Sequence, residues 1–270
     1  MATYLDRILA AHRAAAAADE RDLRQLRDAA LAATAEPPRG FAAAVGTSVA
    51  RGHLAVIAEI KRRSPSRGDL AADLDPAAVA VEYADGGATC LSVLTDVDFF
   101  GGSAADLGAA RSATQSPVLR KDFTVVPADV YDARLMGADA VLLIVAALAD
   151  EELTDLLGLA ADVGLDALVE VHDEGELDRA LAGGATLIGV NQRDLVTFEV
   201  DHERAVRVAG AMPTDVLAVA ESGIRDAADA ARLAAAGYHA VLVGESVVTA
   251  TDRAGAVAAL RVPVAGGVRR

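Results

Sequence analysis

Glu59 and Lys61 stand two residues apart in an otherwise apolar run, Val56-Ile57-Ala58-Glu59-Ile60-Lys61. Side chains two apart on a strand point to the same face, so a carboxylate and an ammonium project together from one strand end. Alone, such a pair reads equally well as a buried ion pair that fixes strand register. The polar, turn-rich Ser64-Pro65-Ser66-Arg67-Gly68 that follows is the kind of loop on which α/β proteins carry binding groups. The pattern recurs. Apolar runs end in Ser92 and Thr95 (before Phe99-Phe100-Gly101-Gly102-Ser103), in Arg120-Lys121-Asp122-Phe123, in Glu170 and His172, in Asn191 and Arg193, in Glu221-Ser222-Gly223 and in Gly244-Glu245-Ser246. Any one of these is readable as a solvated strand end. Seven of eight runs ending this way is hard to attribute to surface decoration.

These residue types suit one kind of chemistry. Lys61, Lys121 and Arg193 are expected to converge as a cationic cluster, fit for a substrate with more than one negative group. Glu59 and Glu170, on opposite sides of a barrel mouth, would divide into an ion-pair partner and a general base. Ser222-Gly223 and Gly244-Glu245 follow the seventh and eighth runs, where barrels commonly bind phosphate through backbone N–H groups and a helix N-terminus. Phe100 and Phe123 are two of five Phe; they form either an aromatic wall or ordinary loop packing. His12, His53, His172, His202 and His239 are not spaced as a metal set, and only His172 falls near the mouth. There is no His-x-x-x-His, no Ser/His/Asp order and no Walker loop, so metal-dependent chemistry is not supported.

The elements that must position these groups follow a rhythm. Strand-length apolar runs fall at 56–60, 90–94, 118–119, 140–145, 167–171, 187–190, 216–220 and 240–243. Helical patterns lie between them near 76–85, 103–113, 127–136, 150–163, 173–182, 201–209, 225–236 and 252–260. Gly87, Gly137, Gly164, Gly184 and Gly237 each precede a strand, as a left-handed helix stop would. The runs are continuously apolar rather than alternating, as when both sheet faces are covered. Eight such units close most economically as a (β/α)8 barrel, with chemistry at the C-terminal strand ends. A doubly wound open sheet is the alternative, but it would usually carry a Gly-rich dinucleotide loop after its first strand, and residues 61–68 are not one. Upstream, residues 4–33 read as two helices broken near Asp19-Glu20. Glu36-Pro37-Pro38-Arg39-Gly40 is a breaker, and a short helix is expected around 41–45. The expected organisation is an N-terminal helical extension, residues 1–54, on a catalytic barrel, residues 55–270.

Composition sets outer bounds. The chain has 270 residues, 53% hydrophobic, enough for a sizeable core. A net charge of −15 disfavours nucleic acid or an anionic membrane as partner, and 3% aromatic residues disfavour a base-stacking platform. The single cysteine, Cys90, excludes an internal disulfide and reads as a small core residue. The longest apolar run, residues 141–149, is too short to span a bilayer, and Asp6 and Arg7 interrupt any signal-peptide pattern. A cytoplasmic protein is expected.

The stretch Ile57-Ala58-Glu59-Ile60-Lys61-Arg62-Arg63-Ser64-Pro65-Ser66-Arg67-Gly68 resembles the signature of the indole-3-glycerol-phosphate synthase family. Further matches occur in the family's order across the whole barrel: Leu119-Arg120-Lys121-Asp122-Phe123, Leu168-Val169-Glu170-Val171-His172, Gly189-Val190-Asn191-Gln192-Arg193-Asp194-Leu195, Ala220-Glu221-Ser222-Gly223-Ile224 and Leu242-Val243-Gly244-Glu245-Ser246. The first is specific; the Ser-Gly and Gly-Glu-Ser pieces are shared with related phosphate-binding barrels. The resemblance implies a TIM barrel without metal or cofactor, a monomer or weak homo-oligomer acting on a small phosphorylated substrate. The implied reaction closes 1-(2-carboxyphenylamino)-1-deoxy-D-ribulose 5-phosphate to indole-3-glycerol phosphate with loss of carbon dioxide and water. It implies Lys121 as general acid at the ribulose carbonyl, Glu170 as acid/base in the later proton transfers, and Lys61 on the substrate carboxylate. Glu59, Asn191 and Ser222 complete its catalytic set. Ser64, Phe100, Phe123, Leu142, Arg193 and Leu242 match substrate contacts, with Phe99 the other candidate for the ring position; Ser222, Gly223, Gly244 and Glu245 match the phosphate site. Some family members have Ser where Glu245 stands; a carboxylate cannot face a phosphate favourably, so its backbone N–H is expected to bind while the side chain points away.

Two other readings compete. Another phosphosugar barrel, such as phosphoribosylanthranilate isomerase, would need a Cys/Asp pair at strand ends, and Cys90 begins its strand. A barrel that binds a phosphorylated ligand without turnover has no use for a poised Lys61, Lys121 and Glu170.

Overall fold

The computed structural model describes residues 3–33, 37–64, 67–194, 196 and 198–264. Glu36 of the breaker, Pro65 and Ser66 of the signature loop, Leu195, and residues 1–2 and 265–270 of the two expected segments lie outside them. Eight parallel strands close into a barrel: β1 Ala55–Ile60, β2 Cys90–Leu94, β3 Val118–Lys121, β4 Ala140–Ile144, β5 Asp166–Val171, β6 Leu187–Asn191, β7 Leu217–Glu221 and β8 Ala240–Val243. Closure is through β1, which pairs with β8 (Ala55 opposite Ala240) and with β2 (Ile57 opposite Cys90). The open-sheet alternative is therefore excluded. All of β1, β2, β4, β6 and β8 is buried, which is why these strands read as unbroken apolar runs.

The helices between strands are α4 Pro76–Asp85, α5 Ala104–Ala113, α6 Pro127–Leu135, α7 Asp150–Asp162, α8 Glu174–Ala182, α9 His202–Ala209, α10 Ala227–Ala235 and α12 Arg253–Leu260, with a short α11, Glu245–Val248, directly after β8. Five of them begin one or two residues later than the pattern suggests. Ser103, Asp173, Asp201, Asp226 and Asp252 cap them, each side chain accepting an N–H from the first turn. The five glycines before strands all have positive φ, from 80° to 104°, and so turn each helix back to the sheet. Six of the eight strands also differ from expectation by one or two residues at a limit. β3 continues through Arg120 and Lys121, because alternate side chains face opposite ways: Arg120 reaches out to the Asp129 carbonyl while Lys121 finds carboxylates inside the barrel. β7 extends to the inward Glu221 for the same reason. β4 stops at Ile144, where a 3-10 turn, Val145–Ala147, takes over. The α11 turn was not expected; four residues leave no periodicity to read.

The extension contributes at both ends of the barrel. Helix α1, Tyr4–Ala17, is fixed by a Thr3–Asp6 capping box and reaches the mouth, as described below. Helix α2, Leu23–Ala32, packs on α6. Helix α3, Phe41–Ala50, is twice the expected length and closes the opposite end: Phe41 and Val45 are fully buried, and Cys90 Sγ lies 3.7 Å from the Phe41 carbonyl. Asp139, with no exposed surface, anchors this end. It accepts from the backbone N–H of Arg39 at 2.7 Å and of Val118 at 2.7 Å, and from the buried Arg111 guanidinium at 3.0 Å. Asp139→Ala removes the carboxylate from a buried ion pair and from two amides. A loss of about 3–5 kcal/mol is expected, read as a lower urea midpoint with unchanged slope; a midpoint equal to that of the unaltered protein would show the anchor to be dispensable.

Candidate active site

Every charged group of interest sits on the inward register of a strand end. Glu59 on β1 and Lys61 just beyond it form an ion pair of 2.5 Å. Across the barrel, Lys121 Nζ from β3 donates to Glu170 Oε2 of β5 at 2.9 Å and to Glu221 Oε2 of β7 at 3.2 Å. Asn191 of β6 donates through Nδ2 to Glu170 Oε1 at 3.0 Å, and its Oδ1 accepts the Arg193 backbone N–H at 3.0 Å. Two glycines make room for these carboxylates: a Cβ on Gly189 would collide with Glu221 Oε1, and one on Gly244 with Glu59 Oε1. The glycines of the β6 and β8 motifs thus have a steric reason.

Electrostatically the ring is an alternation of signs. Burial pulls the Lys121 ammonium toward neutrality, but Glu170, Glu221 and Glu59 more than offset it, and its pKa lies above that of a free lysine. Burial also raises Glu170, yet Lys121, His172 and the Asn191 hydrogen bond overcome that and hold it below the usual carboxylate range. Glu221 is shifted upward, by burial and by the neighbouring Glu170 and Glu59 against a smaller pull from Lys121. One ammonium between two buried carboxylates cannot keep both ionised equally, and the asymmetry leaves an ionised Glu170 beside a proton-sharing Glu221. Glu221 Oε1 has no hydrogen-bond partner among the described residues.

A cavity of about 460 Å³ opens above this ring. All the site residues expected from the sequence line it. Leu142 and Leu242 supply apolar surface from β4 and β8, Phe100 and Phe123 a wall with centroids 6.4 Å apart, and Ser64 and Arg193 loop positions. Ser222, Gly223, Gly244 and Glu245 occupy the β7 and β8 ends, with Glu59, Lys61, Lys121, Glu170 and Asn191 as the charged group. Phe99 is not a lining residue; its ring meets Tyr4 edge-on at 5.9 Å. Ser222 has φ 68° and Gly223 φ 73°. A left-handed serine costs about 1–3 kcal/mol and persists where the surroundings impose it, here in the cavity wall at the end of β7. The Glu245 carboxylate is paired with Arg67 at 3.2 Å, near the first turn of α11.

Lys61, Lys121 and Arg193 share the cavity, and their charges are paired or hydrogen-bonded there. Each lysine has its own carboxylate, and the Arg193 guanidinium donates to the Phe198 carbonyl at 2.9 Å. Buried ammonium groups need counter-charges in the absence of ligand, and residue spacing alone does not count them.

Several lining residues were not singled out from the sequence. Glu221 was visible only as part of a motif. Tyr4, Leu5 and Ile8 bring α1 over the mouth; the sequence indicates a helix there, but not which end of the barrel it covers. Tyr4 also meets Phe198 edge-on at 5.5 Å, and His12 Nε2 lies 2.9 Å from Asp96 and 3.8 Å from Asp122, latching α1 to the loops after β2 and β3. Distance along the chain hides this His–Asp–Asp set, whose ligand-type atoms lie within 4.8 Å of one another. Its acidic oxygens are already engaged: Asp96 Oδ1 accepts from the Phe99 and Phe100 amides and Asp122 Oδ2 from Thr95 and Arg120. Among the described residues no helix is long and apolar enough to cross a membrane.

Comparison with known proteins converges on one family. The family model for indole-3-glycerol phosphate synthase matches residues 5–260. An indole-3-glycerol phosphate synthase of Paenarthrobacter aurescens is 52% identical over 219 residues, covering 81% of this chain and 80% of the relative. One of Chlorobium chlorochromatii is 48% identical over 250 residues, covering 93% and 97%. Among solved structures, a thiamine phosphate pyrophosphorylase from Pyrococcus furiosus superposes with a TM-score of 0.57 at 18% identity, over 77% of this chain and 93% of its own. An N-acetylmannosamine-6-phosphate 2-epimerase from Clostridium perfringens also gives 0.57, at 13% identity, over 71% and 86%. At those identities the two structures speak for the barrel alone.

Proposed function

Because the chain belongs to the indole-3-glycerol phosphate synthase family and performs its ring closure in tryptophan biosynthesis, we propose that Lys121, Glu170 and Lys61 divide the proton transfers and the anchoring between them. The substrate, 1-(2-carboxyphenylamino)-1-deoxy-D-ribulose 5-phosphate, carries a carboxylate at one end and a phosphate at the other. Its ring carbon must attack the ribulose carbonyl, carbon dioxide must leave, and water must follow.

Lys121 is the proton donor to the carbonyl oxygen. Its raised pKa keeps it charged at neutral pH, and the alkoxide forming in the attack is a far stronger base than an amine, so the transfer runs downhill at the moment it is needed. Glu170, ionised and held by Asn191, takes up a proton in the steps that follow and returns one as hydroxide departs. Glu221 shares the Lys121 proton from the other side. Lys61, steered by Glu59, grips the ring carboxylate until decarboxylation. Ser222, Gly223 and Gly244, with the backbone start of α11, hold the phosphate while Arg67 draws the Glu245 side chain aside. Phe100, Phe123, Leu142 and Leu242 hold the aromatic ring in near-attack geometry, with Ser64 and Arg193 lending polar contacts. Residues 1–54 serve as a cap and buttress for a catalytic barrel of residues 55–270. A monomer or weak homo-oligomer in the cytoplasm completes the proposal.

The observation that supports this reading best is the single ammonium of Lys121 bridging Glu170 and Glu221 inside a cavity that also holds Lys61. Its anchoring half is tested at Lys61. Lys61→Ala is expected to raise KM for the substrate roughly 10- to 100-fold, the worth of a hydrogen bond to a charged group. Affinity for an analogue without the ring carboxylate should be the same in both proteins. Equal weakening toward the two compounds would remove Lys61 from the carboxylate.

A further inference from the structure

His172 lies two residues beyond Glu170 on β5 and does not line the cavity, yet its ring is bound up with the carboxylate that does. Glu176 Oε2, from the first turn of α8, accepts the backbone N–H of His172 at 2.7 Å and lies 3.0 Å from its Nδ1. An ionised carboxylate is acceptor only, so Nδ1 carries a proton. Nε2 is buried, has no hydrogen-bond partner among the described residues, and lies 3.6 Å from Glu170 Oε1. A bare lone pair there would face a carboxylate oxygen; a second N–H there would attract it. The geometry therefore favours an imidazolium between Glu176 and Glu170.

We propose that His172, gripped by Glu176, is a cationic positioning residue for Glu170, aiming its carboxylate and supporting its negative charge once Lys121 has given up its proton. The inference rests on the reading of Glu170 as the acid–base group. The charged groups facing this ring are Glu170 on β5, Glu176 on α8 and Arg204 on α9. Burial and Arg204 oppose protonation, while Glu176 and Glu170 favour it, with a net upward shift for His172. Glu170 in turn faces Lys121 and Asn191 from β3 and β6. During turnover Lys121 cannot both protonate the substrate and neutralise Glu170, and His172 is then the neighbouring cation left to it.

Two substitutions separate charge from shape. In His172→Asn the amide can still donate to Glu176 but the cation is lost; His172→Gln offers a neutral donor toward Glu170. Removing a positive charge raises the pKa of Glu170, so the acidic limb of the kcat profile moves to higher pH. The expected displacement is about one unit or more for His172→Asn, less for His172→Gln, and in the same direction for Glu176→Gln. A limb that stays in place while kcat falls at every pH would mean a structural role only and would overturn the proposal. Ring ¹⁵N shifts of the unaltered protein at neutral pH provide a measurement independent of any variant: both nitrogens should be protonated, and a neutral ring refutes the proposal directly. Glu170→Gln, assayed alongside, separates the two levels. If it retains turnover, the acid–base reading fails and this inference with it. If it is inactive while the His172→Asn limb is unmoved, only the His172 assignment fails.

Discussion

Lys121→Ala should cost turnover by about 10³-fold or more, some 4 kcal/mol of transition-state stabilisation, while inorganic phosphate or a phosphorylated analogue still binds. Two losses combine. The carbonyl oxygen loses its proton donor, and two buried carboxylates lose the ammonium that lies 2.9 and 3.2 Å from them. Glu170 and Glu221 then lose the counter-charge they share, with only His172 left beside Glu170, and the pair takes up a proton at a higher pH than before. The variant should therefore also lose the ionised base. Its folding stability need not collapse, since protonation relieves the repulsion. Unchanged kcat would remove Lys121 from the chemistry.

Glu170→Gln should reduce kcat by about 10²- to 10³-fold with little change in KM. The amide is nearly isosteric and can still accept from Asn191 or Lys121, so substrate placement survives. What it cannot do is take a proton at neutral pH and return it. Its deficit belongs to the later steps, after the ring carbon has attacked. Weaker binding with normal turnover would contradict the assignment and make Glu170 an orienting group for Lys121.

Much of this site could be read from residue order because a parallel barrel gathers its strand ends by construction. The Glu59–Lys61 pair, Lys121, Glu170, Asn191 and Ser222 come from five separate stretches of sequence, yet each stands at the end of an apolar run, and closure of the barrel puts them around one cavity. Of the two adjacent candidates for the ring position, Phe100 rather than Phe99 lines the cavity. The missing parts depended on distances that a sequence does not encode. Glu221 looked like one more strand end until its oxygen was found 3.2 Å from Lys121. Spacing paired Lys61 with Glu59 but did not show that Lys121 bridges Glu170 and Glu221. The place of α1 over the mouth depends on His12 meeting Asp96, 84 residues away, which no local pattern announces.

The division of labour between Lys121 and Glu170 is tested most directly by single-turnover mixing of enzyme with substrate, following carbon dioxide release and indole fluorescence in the same reaction. In Glu170→Gln, carbon dioxide should appear at close to the unaltered rate and indole fluorescence should lag far behind it, whereas in Lys121→Ala both signals should fail together. Carbon dioxide and fluorescence slowing in step in Glu170→Gln, or a lag between them in Lys121→Ala, would contradict the assignment of the first proton to one residue and the last to the other.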